Sequence, residues 1–134
     1  MSKQVTIQSF AEAHRLPVKR DSCGEAIIAG RPRKAKRNED RNHIFEYADG
    51  QLAICLLMGT VGKWNNRKKT ALAAGFTLGQ DASVEGTLLF NAQNAKQAKL
   101  AISLVGAREK AVLSPERLAD LQSRGRRLQS LRHT

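Results

Sequence analysis

The chain has 134 residues, of which 41% are hydrophobic and only 4% aromatic, and its formal net charge is +11. A chain of this length buries a single core, and the low aromatic content argues against a large base-stacking surface. A compact chain this basic repels itself, and a polyanionic partner relieves that repulsion.

The cysteines and the hydrophobic segments argue against two further classes of protein. Cys23 and Cys55 are far apart in sequence and form no CxxC pattern, which disfavours both a disulfide framework and a zinc site. The N-terminus lacks the apolar run of a secretory signal, and no stretch approaches the ~18 to 20 apolar residues of a membrane span. We therefore expect a cytoplasmic protein with free thiols, no cofactor, no metal and no membrane partner.

Residues 1–30 are predicted to form a cap on the core. Residues 5–7 favour a short strand, and Ser9 to Glu12 fits a capping box, which predicts a helix that runs to about Leu16. A predicted turn at residues 21–24 leads into a strand at residues 26–29. A helix-turn-helix motif is disfavoured because this turn stands where the second helix would begin.

Residues 31–41 carry six cations against two acids, a net charge of +4, and show no apolar periodicity. This pattern predicts a basic flexible loop or arm. It is either a solvated linker or an arm that becomes ordered on phosphate. The residues expected to contact phosphate are Arg31, Arg33, Lys34, Lys36 and Arg37.

Residues 42–107 are predicted to form a core of ββαββα order. Residues 43–47 and 51–58 flank the turn dipeptide Asp49-Gly50, and the second of these strands is apolar on both faces. That pattern indicates a central strand, in which Cys55 is a small core residue rather than a reactive thiol. A second hairpin at residues 76–90 and a helix at residues 91–105 complete the core.

The predicted helix at residues 63–75 joins the two hairpins and has a net charge of +4 between Lys63 and Lys69. Gly75 is placed to end it. Trp64 has two open interpretations, a core side chain or a base-stacking one. The candidate phosphate contacts here are Lys63, Arg67, Lys68 and Lys69. Asn65 is a candidate for a base-edge hydrogen bond, and so is the adjacent Asn66.

Residues 108–134 are predicted to contain a basic, amphipathic C-terminal helix that starts near Ser114 and Pro115. This helix either packs on the core or faces a partner. Its candidate nucleic-acid contacts are Arg124, Arg126 and Arg127. With the core, it gives a predicted α+β fold in which helices pack on a small, mostly antiparallel sheet built from two hairpins.

No spacing of residues predicts an enzyme. Glu46, Asp49, Asp81 and Glu85 are acids near hairpin ends, but no acid is followed two residues later by lysine, as a restriction-type nuclease core requires. We therefore expect a non-enzymatic protein that binds DNA or RNA mainly through phosphate. The alternatives are an accessory or inhibitor protein, of phage or mobile-element type, that docks on an acidic protein or ribonucleoprotein surface, and a metal-dependent nuclease. The oligomeric state stays open.

Overall fold

The computed structural model describes residues 5–32, 34–48 and 51–108. These residues form an α+β fold, which confirms the predicted class. The elements are α1 (Ile7–His14), β1 (Lys19–Arg20), β2 (Ala26–Ala29), β3 (His43–Ala48), β4 (Gln51–Leu57), α2 (Val61–Ala73), β5 (Thr77–Asp81), β6 (Glu85–Phe90) and α3 (Ala95–Val105). A turn of 3₁₀ helix at Asn38–Asp40 lies between β2 and β3.

The six strands of the described residues form one open antiparallel sheet in the order β1-β2-β3-β4-β6-β5. From β3 to α3 the chain follows the predicted ββαββα order. The sheet is larger than predicted, however, because β1 and β2 form a further hairpin whose second strand pairs with β3. The two residues of β1, Lys19 and Arg20, are both exposed, so no apolar pattern marked this strand.

One face of the sheet forms the core with the helices. Ile28, Ile44, Ile54 and Leu88 lie side by side across four adjacent strands and are fully buried. The helices cover this row with side chains that belong to the same apolar cluster: Phe10 from α1, Trp64 and Ala71 from α2, and Ala98, Ala101 and Val105 from α3. The core is therefore mainly aliphatic, as the composition indicates.

The N-terminal prediction is wrong in detail. Residues 5–7 form no strand, because Thr6 caps α1 and Ile7 is already helical. The Thr6 hydroxyl accepts a hydrogen bond from the Ser9 amide (3.1 Å), and the Ser9 hydroxyl accepts one from the Thr6 amide (2.9 Å). The capping box thus begins three residues earlier than predicted, and the helix ends at His14 with Arg15 in the left-handed region.

Strand β4 is central in the sheet, as predicted, but its two faces are buried to different degrees. Leu56 is fully buried on the core side, whereas Cys55 and Leu57 on the opposite side are half-buried. Burial raises the pKa of the Cys55 thiol to about 11, and the Glu85 carboxylate adds to the shift. At neutral pH this thiol is protonated and therefore a poor nucleophile.

Two predicted features lie outside the described residues: the turn at Asp49 and Gly50, and the C-terminal helix. Of residues 108–134 the structure describes only Arg108. None of the helices in the described part of the chain has the length and apolar character that crossing a bilayer requires.

Gly86 of β6 lies directly against the Trp64 indole, and a Cβ at this position would overlap the ring. We expect Gly86→Ala to lower the free energy of unfolding by ~1 to 3 kcal/mol, because added volume in a packed core forces side chains and backbone to shift. Urea unfolding followed by tryptophan fluorescence measures the effect.

Gly62 of α2 is the matched control, since a Cβ there meets no atom within 4 Å. Gly62→Ala is expected to be neutral or to stabilise by up to ~1 kcal/mol, because alanine favours the helix. If Gly86→Ala were as stable as Gly62→Ala, the indole would not be packed against β6.

Candidate anion-binding cleft

Helix α2 begins at Val61, two residues before the predicted start. The Thr60 side chain caps it by accepting a hydrogen bond from the Lys63 amide (3.3 Å), and Gly75, with φ 97°, follows its end. Glycine adopts that conformation without steric cost, which is why it was predicted to end the helix.

Trp64 faces the sheet and is fully buried. Its indole Nε1 donates a hydrogen bond to Asp81 Oδ1 at the end of β5 (2.7 Å). Of the two interpretations of Trp64, the structure supports the core side chain, because the fully buried ring has no face open to a base.

Lys68 also turns toward Asp81. Its Nζ donates a hydrogen bond to Asp81 Oδ2 (2.8 Å) and lies 5.7 Å from the centroid of the Trp64 ring. The Lys68 ammonium, followed by the Trp64 N–H, lowers the pKa of the Asp81 carboxyl below its usual value. Lys68 is thus already paired with an acid and is a weaker candidate for phosphate than its neighbours on α2.

The other cations of α2 lie on different sides of the helix. Lys63 and Arg67 are four residues apart, so they share one flank. Lys69 is two residues beyond Arg67, about 200° around the helix axis, and is exposed. Asn65 and Asn66 are exposed within the helix rather than at its start, so they are not capping residues.

A cleft of about 260 Å³ opens between α2, the last turn of α3 and the start of β3. Its lining consists of Arg31, Asn42, Met58, Arg67, Ser103, Leu104, Val105 and Gly106. Two of the three basic segments of the sequence thus meet here, through Arg31 and Arg67. Neither guanidinium forms an ion pair within the described residues, and no acid lines the cleft.

Arg31 is held at the cleft by the end of α3. Its amide donates a hydrogen bond to the Val105 carbonyl (2.8 Å), and its side chain lies over Gly106, which has φ 73°. A Cβ at Gly106 would be 2.8 Å from Arg31 Cγ. The preceding residue, Gly30, approaches the Val105 carbonyl so closely that any Cβ there would overlap it.

Asn42 forms the buried polar part of the lining and is only 6% exposed. Its backbone pairs with Arg31 and Gly30, and its Oδ1 accepts a hydrogen bond from the Leu57 amide (2.6 Å). A backbone amide N–H only donates, so the side-chain atom that faces Leu57 must be the oxygen Oδ1. The Nδ2 group then points away from this bond. Within the described residues no hydrogen-bond partner for Nδ2 is present.

Three other predicted contacts in the arm do not line the cleft. Lys34 and Lys36 are exposed, and Arg37 forms an ion pair with Asp40 (3.0 Å). A backbone hydrogen bond joins the two ends of the 31–41 segment, because the Asn42 amide donates to the Arg31 carbonyl (2.7 Å). Four predicted contacts lie outside the described residues: Arg33, Arg124, Arg126 and Arg127.

Asn42 and Ser103 are cleft residues that sequence reasoning missed. Asn42 follows a run of charged residues, and Ser103 lies in an apolar helix, so neither position carries a pattern that indicates a ligand. Their proximity to Arg31 and Arg67 depends on the packing of α3 against the sheet.

The chain matches no protein-family model, no curated protein and no solved structure. Among the residues that the structure describes, no three His, Cys, Asp or Glu side chains are grouped so that they could hold a metal ion.

Asp81→Asn is expected to lower stability at neutral pH, because asparagine keeps an acceptor for the Trp64 N–H but loses the charge that pairs with Lys68. Folding lowers the pKa of Asp81, so its charge stabilises the fold above the ordinary pKa of 3.8 and loses this effect as pH falls through the lower folded value. Urea unfolding of both proteins at pH 7 and at about pH 2 should show a difference that shrinks in acid.

Asp40→Asn is the control for this experiment, since it also removes an acid from an ion pair. The Arg37 side chain of that pair is 62% exposed, against 24% for Lys68, so the pair contributes little. A stability difference for Asp81→Asn that persisted unchanged in acid would show that the carboxylate charge is not what stabilises the fold.

Proposed function

We propose that this protein binds nucleic acid through the phosphate backbone, with little sequence specificity. The observation that carries the proposal is the meeting of Arg31 and Arg67, from two separate basic segments, at one cleft whose described lining contains no acid. Basic residues grouped in this way attract a polyanion more strongly than the same charges spread evenly over the surface.

The surface proposed for binding consists of Lys63, Arg67 and Arg31. Lys63 lies one helical turn before Arg67 on the same flank, so the two cations lead along α2 to the cleft. All three side chains lack an acidic partner within the described residues, and all three are exposed. Arg108, the first cation of the third basic segment, comes two residues after Gly106 and is exposed.

The chemistry of this surface favours phosphate over bases. Lysine and arginine contacts to phosphate position a nucleic acid but read no sequence. Because Trp64 is buried, the residue with the largest aromatic surface is removed from base stacking. Asn65 and Asn66 are left as the candidates for base-edge hydrogen bonds, and both DNA and RNA are open as ligands.

Affinity for duplex and single-stranded DNA and RNA, measured by fluorescence anisotropy at several salt concentrations, tests the proposal. If ~5 to 8 phosphates are neutralised, log Kd should rise with log salt with a slope of about 4 to 7. The double variant Lys63→Gln/Arg67→Gln should reduce that slope by about 2, because each lost phosphate contact removes roughly 1.

The double variant Lys96→Gln/Lys99→Gln is the matched control. It removes the same charge from exposed positions on α3 that do not line the cleft. Its slope should equal that of the unchanged protein. Equal losses in both double variants would mean that only total charge matters, and absence of binding at low salt would favour an acidic protein as the partner.

A further inference from the structure

The cleft has more structure than an exposed basic patch, because its lining includes a buried polar residue, Asn42. Asn42 is held from three sides: the Gly30 amide donates to its carbonyl (2.6 Å), its amide donates to Arg31, and its Oδ1 receives the Leu57 amide. These bonds fix the side-chain amide in one orientation. The Nδ2 hydrogens therefore have a fixed orientation in the absence of a ligand.

The Nδ2 group is in contact with solvent although the residue is almost completely buried. Among the described residues, Glu39 Oε1 alone is a fully enclosed side-chain polar atom without a hydrogen-bond partner. Within the same residues Asn42 Nδ2 also lacks a partner, so it is not fully enclosed, and Asn42 is one of the residues that line the cleft. A buried donor of this kind costs free energy unless a ligand or water accepts its hydrogen bond.

The other polar side chains of the lining can also donate hydrogen bonds. Arg31 and Arg67 contribute guanidinium groups, which bind oxyanions in pairs of parallel hydrogen bonds, and Ser103 contributes a hydroxyl. Met58 and Leu104 contribute apolar side chains to the lining.

The size of the cleft limits the ligand. A volume of about 260 Å³ is many times what one water molecule requires, so the cleft accommodates a phosphate group together with waters. Phosphate suits the lining because its several oxygens accept hydrogen bonds from different directions, and two guanidinium groups balance its charge.

We propose that the cleft formed by Arg31, Asn42, Arg67 and Ser103 binds a single phosphate group of a nucleic acid. This inference rests on the proposed function for the source of the phosphate, whereas the site itself is testable without nucleic acid. The phosphate belongs either to a strand end or to the backbone within a strand. In both cases the donors of the lining would bind its non-bridging oxygens.

Inorganic phosphate is the first probe, titrated into the full-length protein by NMR or calorimetry with sodium chloride at equal ionic strength as the reference. The protein should bind phosphate saturably. Arg67→Gln should weaken binding about 10-fold or more, since a hydrogen-bonded charge is lost from the site. Lys99→Gln, which removes an exposed charge of α3 outside the cleft, should leave phosphate affinity within twofold.

Asn42→Asp tests the buried donor. Aspartate retains an acceptor for the Leu57 amide but replaces Nδ2 with a carboxylate oxygen, so phosphate binding should disappear. Circular dichroism checks that this variant folds, and if it does not, Arg67→Gln decides the question. Absence of saturable phosphate binding, or equal effects of Arg67→Gln and Lys99→Gln, would overturn the proposal.

Oligonucleotides with and without a 5′-phosphate, otherwise identical, distinguish the two sources. A preference for the phosphorylated strand that Arg67→Gln removes assigns the cleft to a strand end, whereas equal affinities that Arg67→Gln weakens alike assign it to the backbone. Nucleic-acid binding that is indifferent to Arg67→Gln overturns both the cleft and the proposed surface that includes Arg67, but leaves nucleic-acid binding itself standing. Phosphate binding without nucleic-acid binding supports the cleft as a phosphate site but overturns the proposed function.

Discussion

The close approach of Gly30 to the Val105 carbonyl is the constraint on which the arrangement of this protein depends. Only glycine leaves room there, and the contact lets the Arg31 amide bond directly to the last turn of α3. The same few residues join β2, the start of β3 and the end of α3. A helix terminus, a strand end and a basic side chain are thus placed together by backbone contacts rather than by charge.

A second constraint is the sharing of Asp81 between the core and the surface. One carboxylate oxygen satisfies the buried indole of Trp64, and the other pairs with Lys68 at the protein surface. A buried N–H needs a partner, and an aspartate at the end of β5 supplies it while keeping contact with water. Consequently the four cations of α2 are not equivalent: Lys68 contributes to the fold, whereas Lys63 and Arg67 are left available on the flank that leads to the cleft.

Local patterns were sufficient to predict much of the fold. The turn dipeptide Asp49-Gly50 and the β-forming, apolar residues on either side of it indicated β3 and β4, and Gly75 indicated the end of α2. They failed at the N-terminus, where β-branched Thr6 favours a strand by propensity but uses its hydroxyl as a helix cap. Strand β1 was missed because a two-residue exposed strand exists only through its pairing with β2.

For the site, the sequence by itself determined which segments are basic, because charge is a property of residue type, and it thereby indicated Arg31 and Arg67 as anion contacts. The tertiary structure alone decided that these two side chains share a cleft and that Asn42 lines it. It also decided that Trp64 and Lys68 both bind Asp81. Those outcomes depend on contacts between residues that are distant in the chain, such as Gly30 with Val105 and Trp64 with Asp81. No local pattern encodes such contacts, since each is stabilised by the burial of several elements at once.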